Sequence, residues 1–380
     1  MNRPAKQSDV VIVGAGPAGL ALAIGLAQRG VDFIILDALP DAQNTSRAAV
    51  IHAGTLNALA PLGVADRLIA QGIRVTGFRA RDRERVLLHA DFGELRDAPP
   101  FALMIPQDES EAILTERLSG LGHRVLRPLL AERIETAADA ATVVLADGRR
   151  IGARFVVGAD GQDSTIRKQA GIGFPGKTHG SFMLADVRMD WPIPKDEVTL
   201  FFSVEGTLVV APMSRDRYRI VAQCPDAPAE PAVPDVQAVI DARGPGRGAR
   251  VREILWGSRF RVHHRMADRF RAGPVLLLGD AAHVHSPAGG QGMNLGLRDA
   301  VALADALAAA LREERESALD DYAAARMAAA REILRMTDRL TAIATLRPRA
   351  LRMLRNLVIR KASTLPALRR SVARRLAGTR

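Results

Sequence analysis

The stretch DVVIVGAGPAGLALAIGLAQRGVDFIILD, residues 9–37, constrains this chain more than any other. The apolar run Val10–Val13 reads as a buried strand and stops at a glycine turn. Leu20 to Leu26 then read as a helix, Gly30 ends it, and residues 31–37 read as a second strand. Strand, turn, helix and strand at these lengths form a βαβ unit, which commits the chain to a parallel sheet covered by helices. Gly14 permits the tight turn, Gly16 lets a pyrophosphate approach the backbone, and Gly19 lets helix and strand pack closely. The helix entry at Pro17 and Ala18 offers unpaired N–H groups and a partial positive charge to phosphates. Asp37 closes the second strand, where a carboxylate accepts from a ribose hydroxyl. The unit as a whole carries a dinucleotide fingerprint.

A second strand-to-helix turn lies far downstream, in LLLGDAAHVHSPAGGQGMNLG, residues 276–296. Leu276–Leu278 read as a strand that stops at Gly279-Asp280, and the chain after Asn294 turns Leu- and Ala-rich at helical spacing. Gly14–Gly19 is the only GxGxxG set in a βαβ unit, so both turns fit a single extended ligand. Asp280 would bond a polyol stretch, and the helix opening at Gly292, Met293 and Asn294 would point its N–H groups at an electron-rich ring edge. FAD meets that demand, with its adenosine ribose, pyrophosphate, ribityl chain and a ring that becomes anionic when reduced.

Between these turns the pattern changes. Residues 108–120 read as a helix, 142–151 as a hairpin turning at Asp147-Gly148, and 154–159 as a strand running into Ala159-Asp160-Gly161. Ser164 then caps a short helix carrying Arg167. From 180 to 223 the segments VTLFFSV, TLVVAPM and RYRIVAQ alternate as antiparallel strands. Helices follow the second turn at about 292–313 and 317–340. The expected fold class is α/β, a Rossmann-like FAD-binding domain with an inserted antiparallel-sheet substrate domain and C-terminal helices. The expected division is 1–175 and 266–345 for the FAD-binding domain, 176–265 for the substrate sheet and 346–380 for a basic helical tail; strands at about 74–105 are available to the substrate sheet.

Charge separates the tail from the body. Residues 346–380 contain eleven Lys or Arg and no Asp or Glu, so the whole net charge of +11 sits there and the body is neutral. A basic appendage on a neutral body does not read as a nucleic-acid-binding protein. Its Leu, Ile and Val alternate with arginines at helical intervals. The pattern fits helices docked on the flavin domain or on a partner subunit, and as the alternative an amphipathic helix on an anionic membrane or an acidic partner. A single cysteine, Cys224, excludes an intrachain disulfide and a zinc site built on cysteines. No His/Asp/Glu spacing suggests a metal. The start MNRPAKQSD lacks the apolar core of a signal peptide, so the expected location is cytoplasmic, with peripheral contact at the inner face of a membrane left open by the tail.

Three motifs in order resemble the single-component (group A) FAD-dependent aromatic hydroxylases of the para-hydroxybenzoate hydroxylase type. They are Gly14–Gly19, then Gly158–Gly161 with Ser164 and Arg167, then Gly279–His283 with Pro287 and Gly289–Asn294. The resemblance runs from about residue 9 to 340. It implies that Arg47 lies beside the flavin ring and phosphates, that Gln107 contacts the ribityl and phosphate region, and that Asp160 supports both noncovalent FAD and a passing nicotinamide. No second nucleotide-binding βαβ unit is visible, so NADH or NADPH is expected as a transient reductant. The family's chemistry is reduction of the flavin, formation of a flavin C4a-hydroperoxide with O2, and transfer of one oxygen to an electron-rich phenolic or polyketide-like aromatic. Two other readings stay open: a membrane-associated quinone-precursor hydroxylase and a flavin-binding protein without turnover.

The expected catalytic set is Pro287, Gly292 and Met293 around the reactive face, with Arg217. The expected substrate contacts are His52, Phe201, Arg217, Arg219 and Pro287. Arg217 and Arg219 share one face of their strand. His283 and His285 sit in the third motif, where packing explains them more readily than catalysis.

Overall fold

The computed structural model describes residues 6–42, 48–96, 98–214, 216–286, 289–346 and 348–379. Two expected site residues, Arg47 and Pro287, lie outside these described residues. Four parallel strands form the heart of one sheet, in the order Val275–Leu277, Arg150–Gly158, Lys6–Val13, Phe33–Leu36. Their register aligns Val13 with Gly158 and with Leu36, and Gly158 with Leu277. These strands are buried on both faces, which is why they read as continuous apolar runs. The strand Arg150–Gly158 starts four residues earlier than its apolar pattern suggests, because its first residues pair antiparallel with Ala141–Leu145.

The helix Pro17–Gln28 buries every residue from Gly19 to Leu26. It is enclosed between the sheet and the helices Gln107–Gly120 and Gln291–Arg312. A Cβ on Gly25 would stand 2.7 Å from the Ala304 Cβ, so glycine sets the approach of the first helix to the last-named one. The helix Ser317–Ala344 completes that layer, and the Tyr322 hydroxyl donates to the Leu277 carbonyl at 3.0 Å.

The second sheet has eight strands, in the order His283–Val284, Arg250–Met266, Gly176–Asp190, Arg217–Gln223, Leu208–Pro212, Glu197–Phe201, Gly77–Asp82, Arg85–Asp91. All neighbours are antiparallel except Glu197–Phe201 with Gly77–Asp82. One face packs on the helix Val233–Arg243 through Phe201, Leu208, Tyr218, Ile220 and Val236. The opposite face, with Leu200, Val209, Ala211, Arg219 and Val221, looks toward the first sheet. His283–Val284, at the end of the second glycine turn, pairs with Arg265 and Met266, so the turn is stitched to both sheets. A small sheet, Val50–Ile51, Ala102–Met104 and Ile73–Val75, bridges the layers.

The basic C-terminus is not a loose appendage. It forms the helices Arg349–Ser363 and Pro366–Leu376. The second of these buries Ala373 and Leu376 against Ala53, Phe92 and Ala102. The Gly54 N–H donates to the Ala377 carbonyl at 2.9 Å, and Arg298 donates to the Gly378 carbonyl at 3.0 Å. Deleting the tail therefore opens the body rather than leaving it whole.

Two neighbouring glycines separate fold from ligand space. Gly14 has φ +107°, and a Cβ there would stand 2.3 Å from the Ala159 carbonyl oxygen, whereas a Cβ on Gly16 would meet nothing within 4 Å. Gly14→Ala should destabilise the protein by about 3 kcal/mol or more through strain and backbone displacement. Gly16→Ala should leave the urea midpoint near wild type. Equal midpoints for the two variants would contradict the different roles assigned to these glycines.

Candidate functional site

The carboxyl ends of the four parallel strands carry all three turn motifs, because strand register places Gly14, Asp37, Ala159-Asp160 and Gly279 side by side. Ligands of open α/β sheets bind outside these ends, where connections diverge to opposite sides. A cavity of about 620 Å³ opens there. It runs from Gly16–Ala18 past Asp160 and Asp280, along Gly289–Met293, to the inner face of the eight-stranded sheet.

Each turn is built by local chemistry. The Asp37 carboxylate accepts from the Ala15 N–H at 2.7 Å and the Leu39 N–H at 2.9 Å. It stands beside the first turn and ties it down, without lining the cavity. Asp160 accepts from the Ser164 hydroxyl and from the Ile166 N–H at 3.1 Å, which folds the Asp-Gly turn onto the short helix Thr165–Gln169. Burial pushes the Asp160 carboxyl above its ordinary range against these hydrogen bonds. Arg167, stacked 3.8 Å over Phe174, donates to the carbonyls of Gln162 and Ala281, and so joins the second motif to the third.

The third motif is held from beneath. His283 is fully buried and pairs through Nε2 with Asp299 at 2.6 Å, and Arg326 pairs with the other Asp299 oxygen. Burial alone would raise the Asp299 carboxyl; His283 and Arg326 outweigh it and hold the carboxyl below its ordinary value. The helix Gln291–Arg312 starts at Gly290, with φ +61°, where a Cβ would stand 2.1 Å from Val50 Cγ1. Asn294 does not line the cavity. Its side chain accepts from the His52 N–H at 2.7 Å and donates to the Val50 and Gly290 carbonyls, clamping the helix entry to the small sheet.

Of the expected residues, Gly16, Pro17, Ala18, His52, Gln107, Asp160, Arg219, Asp280, Gly292 and Met293 meet at the cavity. Gly14 and Gly19 shape the first turn from behind it; a Cβ on Gly19 would stand 2.0 Å from the Gly14 carbonyl oxygen. Gln107 accepts from the Ala48 N–H at 3.2 Å and opens its helix. Phe201 is corrected: it is fully buried on the far face, edge-on to Trp191 at 6.0 Å, because strand alternation turns its neighbour Leu200 to the cavity instead. Arg217 does not reach the cavity and donates to Asp186 at 2.6 Å. Arg219, 2% exposed, makes two bonds to the same carboxylate at 2.7 and 2.9 Å and donates to the Ala48 carbonyl at 2.8 Å. Residues that the sequence reading missed include Val198, Val209, Ala211 and Val221, whose alternation gave the signal, and Met104, Phe260 and Leu376, for which it gave none.

His52 and His285 form part of the cavity wall. His52 donates from Nε2 to the Gly289 carbonyl at 2.9 Å, and His285 donates from Nδ1 to the Ser286 carbonyl at 2.9 Å. Burial lowers each from the usual 6.5 to about 4, so both are neutral at pH 7. On the sheet side Leu200, Val209, Ala211 and Val221 form an apolar patch around Arg219, whose guanidinium is held by Asp186, and Arg261 and His263 lie on the long strand beyond it.

This arrangement fits FAD. The helix beginning at Pro17 ends on open space beside Gly16, where a pyrophosphate needs close backbone approach. Gly279-Asp280 lines the middle of the cavity, and the start of the 22-residue helix at Gly292-Met293 faces its far part.

Comparison with known proteins agrees. Residues 7–337 match the model of a family described as FAD binding domain. The 6-methylpretetramide 4-monooxygenase of Streptomyces rimosus is 38% identical over 348 residues, covering 89% of this chain and 62% of that protein. The chain thus spans less than two thirds of this relative's length. The OxyS anhydrotetracycline hydroxylase from Streptomyces rimosus is similar in structure, with a TM-score of 0.80 and 32% identity over 98% of this chain and 76% of that one. The p-nitrophenol 4-monooxygenase PnpA from Pseudomonas putida DLL-E4 shares the fold over 99% of both chains, with a TM-score of 0.86 at 24% identity.

Two outcomes test the site's electrostatics. Asp186→Ala strands the buried Arg219 charge and should cost about 3 to 5 kcal/mol, most of it regained when Arg219→Met is added; additive losses would contradict the pairing. The second outcome concerns pH. Between pH 6.5 and 4 the unfolded chain binds protons at His52 and His285 that the folded chain does not. Their contribution is therefore complete above pH 6.5 and is lost as the pH falls toward 4. Urea midpoints should decline over that window, and less steeply in His52→Gln; the same slope in both proteins would contradict a buried neutral His52.

Proposed function

Because this chain belongs to the FAD binding domain family, we propose that it is a monooxygenase that inserts one oxygen atom of O2 into an electron-rich aromatic, with NADH or NADPH as a visiting reductant. The favoured substrate class is a phenolic or polyketide-like aromatic. One observation carries this reading: a single cavity joins the glycine turns suited to FAD to an apolar sheet face. The named activities of relatives that act on 6-methylpretetramide and anhydrotetracycline support the substrate class.

Gly16–Ala18 would hold the pyrophosphate, Asp280 the polyol stretch, and the helix start at Gly292-Met293 the ring edge, with Gln107 and Asp160 alongside. When bound, FAD supplies acceptance of hydride from NAD(P)H and reduction of O2, so that one oxygen atom enters the product and the other leaves as water. The protein's own contribution is positional. The N–H groups at the start of the Gln291–Arg312 helix favour negative charge on whatever lies against them. Leu200, Val209, Ala211 and Val221 offer an apolar plane against which an aromatic ring can lie. Arg219 already has a carboxylate partner in Asp186, so it does not call for an anionic substrate. Phe92, Met104 and Leu376 close the cavity toward the C-terminal helices and keep water from the reacting atoms.

The test uses the purified protein with FAD, NAD(P)H and a panel of simple and polycyclic phenols. An accepted substrate should speed NAD(P)H oxidation and carry heavy-isotope label from O2; label arriving from water would overturn the reading. Val209→Trp, which fills the apolar face, should lower kcat/KM by about tenfold or more while FAD content is unchanged.

A further inference from the structure

We propose that the helix Arg349–Ser363, with the start of the helix that follows, is a docking face for the surface of an anionic lipid bilayer. The helix is inside out for a protein in water. A soluble surface helix turns its apolar stripe inward and its polar face to solvent. Here the inward face carries Arg355 and Asn356. Arg355 is buried, donates from Nη1 to the Ile343 carbonyl at 2.9 Å and the Ala344 carbonyl at 3.2 Å, and lies 4.9 Å over the Phe202 ring. Asn356 donates to Asp82 at 2.6 Å. These contacts fix the rotation of the helix, so that of its large apolar residues only Ile359 packs inward and the others face outward.

The outward face carries Leu351, Leu354 and Val358 on one line, flanked by Met353 and Leu357, and Leu365 extends it past the helix end. Met353 is 66% exposed, Leu354 and Val358 are each 56% exposed, and Leu365 is 58% exposed. Of the thirteen exposed large apolar side chains among the described residues, seven fall between Leu351 and Leu368. Scattered singly, such residues need no explanation; gathered on one convex helix they mark a surface that is covered in use.

Charge selects the cover. Residues 346–380 carry eleven Lys or Arg and no Asp or Glu. Arg349 stands at the head of the exposed stripe, Arg360 and Lys361 at its foot, and Arg370, Arg374 and Arg375 are exposed on the next helix. A second copy seated on this stripe would set Arg349, Arg360 and Lys361 against their own like charges. An anionic bilayer takes leucines into its acyl boundary while arginines reach its headgroups, which is the arrangement of an interfacial amphipathic helix. Among the described residues no helix is long and apolar enough to cross a membrane, so the contact is a surface one.

Vesicle sedimentation with the full chain tests this. Vesicles of phosphatidylcholine are compared with vesicles containing phosphatidylglycerol, at about 0.1 M and about 1 M salt, where the screening length falls from about 10 to 3 Å. Wild type should bind the anionic vesicles about tenfold or more tightly than the neutral ones, and high salt should weaken this. Leu354→Glu with Val358→Glu, and separately Arg360→Gln with Lys361→Gln, should each weaken binding by about tenfold. All four positions are exposed, so thermal midpoints should be unchanged. Leu354→Trp should show blue-shifted fluorescence on anionic vesicles. Three results would overturn the proposal: no binding by wild type; full binding by the glutamate variant, which would mean charge adsorption alone; or self-association that the glutamate variant abolishes while vesicles are ignored, which would mean a second copy covers the stripe.

Discussion

The parallel register of four strands is the constraint on which the rest depends. Val13 lies level with Leu36 and Gly158, and Gly158 with Leu277. Segments far apart in sequence therefore end on one line, and the glycine turns that follow them open on one space. The register also explains why some of these glycines tolerate no side chain. The first turn passes so near Ala159 that a Cβ on Gly14 would overlap its carbonyl, and a Cβ on Gly296 would stand 3.1 Å from the Gly279 Cα. The backbone turns are packed on one another, and the ligand space is what remains beyond them.

Buried polar links keep this line in place and set the second sheet over it. Arg167 bridges the second and third motifs, His283–Asp299–Arg326 fastens the third motif to two helices, and Arg219–Asp186 reaches across to the Ala48 carbonyl. None is a strong source of net stability, because desolvation of the charges offsets much of their attraction. Each is costly to break from one side, which makes it a device for holding one arrangement. In the cavity wall His52 and His285 are then neutral, and the Arg219 guanidinium is held by the Asp186 carboxylate.

The two glycine turns were legible in the sequence because their requirements are local. A strand, a residue with positive φ and a helix start within a few positions leave few alternatives. The inner face of the second sheet was only half legible. Alternation says that Leu200 and Phe201 face opposite ways, but which one meets the cavity depends on the helix Val233–Arg243 covering the far side, and that contact is not local. Arg217 and Arg219 do share a face, as their spacing requires, yet only Arg219 lies far enough along the strand to reach the cavity. The tail was least legible. Its periodicity predicts helices, but the buried face of Arg349–Ser363 is chosen by Asp82, Phe202 and the carbonyls of Ile343 and Ala344, against the apolar pattern.

The central claim is that two distant turns, joined by strand register, hold one flavin. Titration of FAD into the apoprotein, followed by quenching of flavin fluorescence, tests it most directly. The account predicts a single FAD per chain, with affinity lowered by about tenfold or more both by Gly16→Val at the first turn and, separately, by Asp280→Ala at the distant one. Loss with Gly16→Val alone, and wild-type affinity in Asp280→Ala, would contradict it.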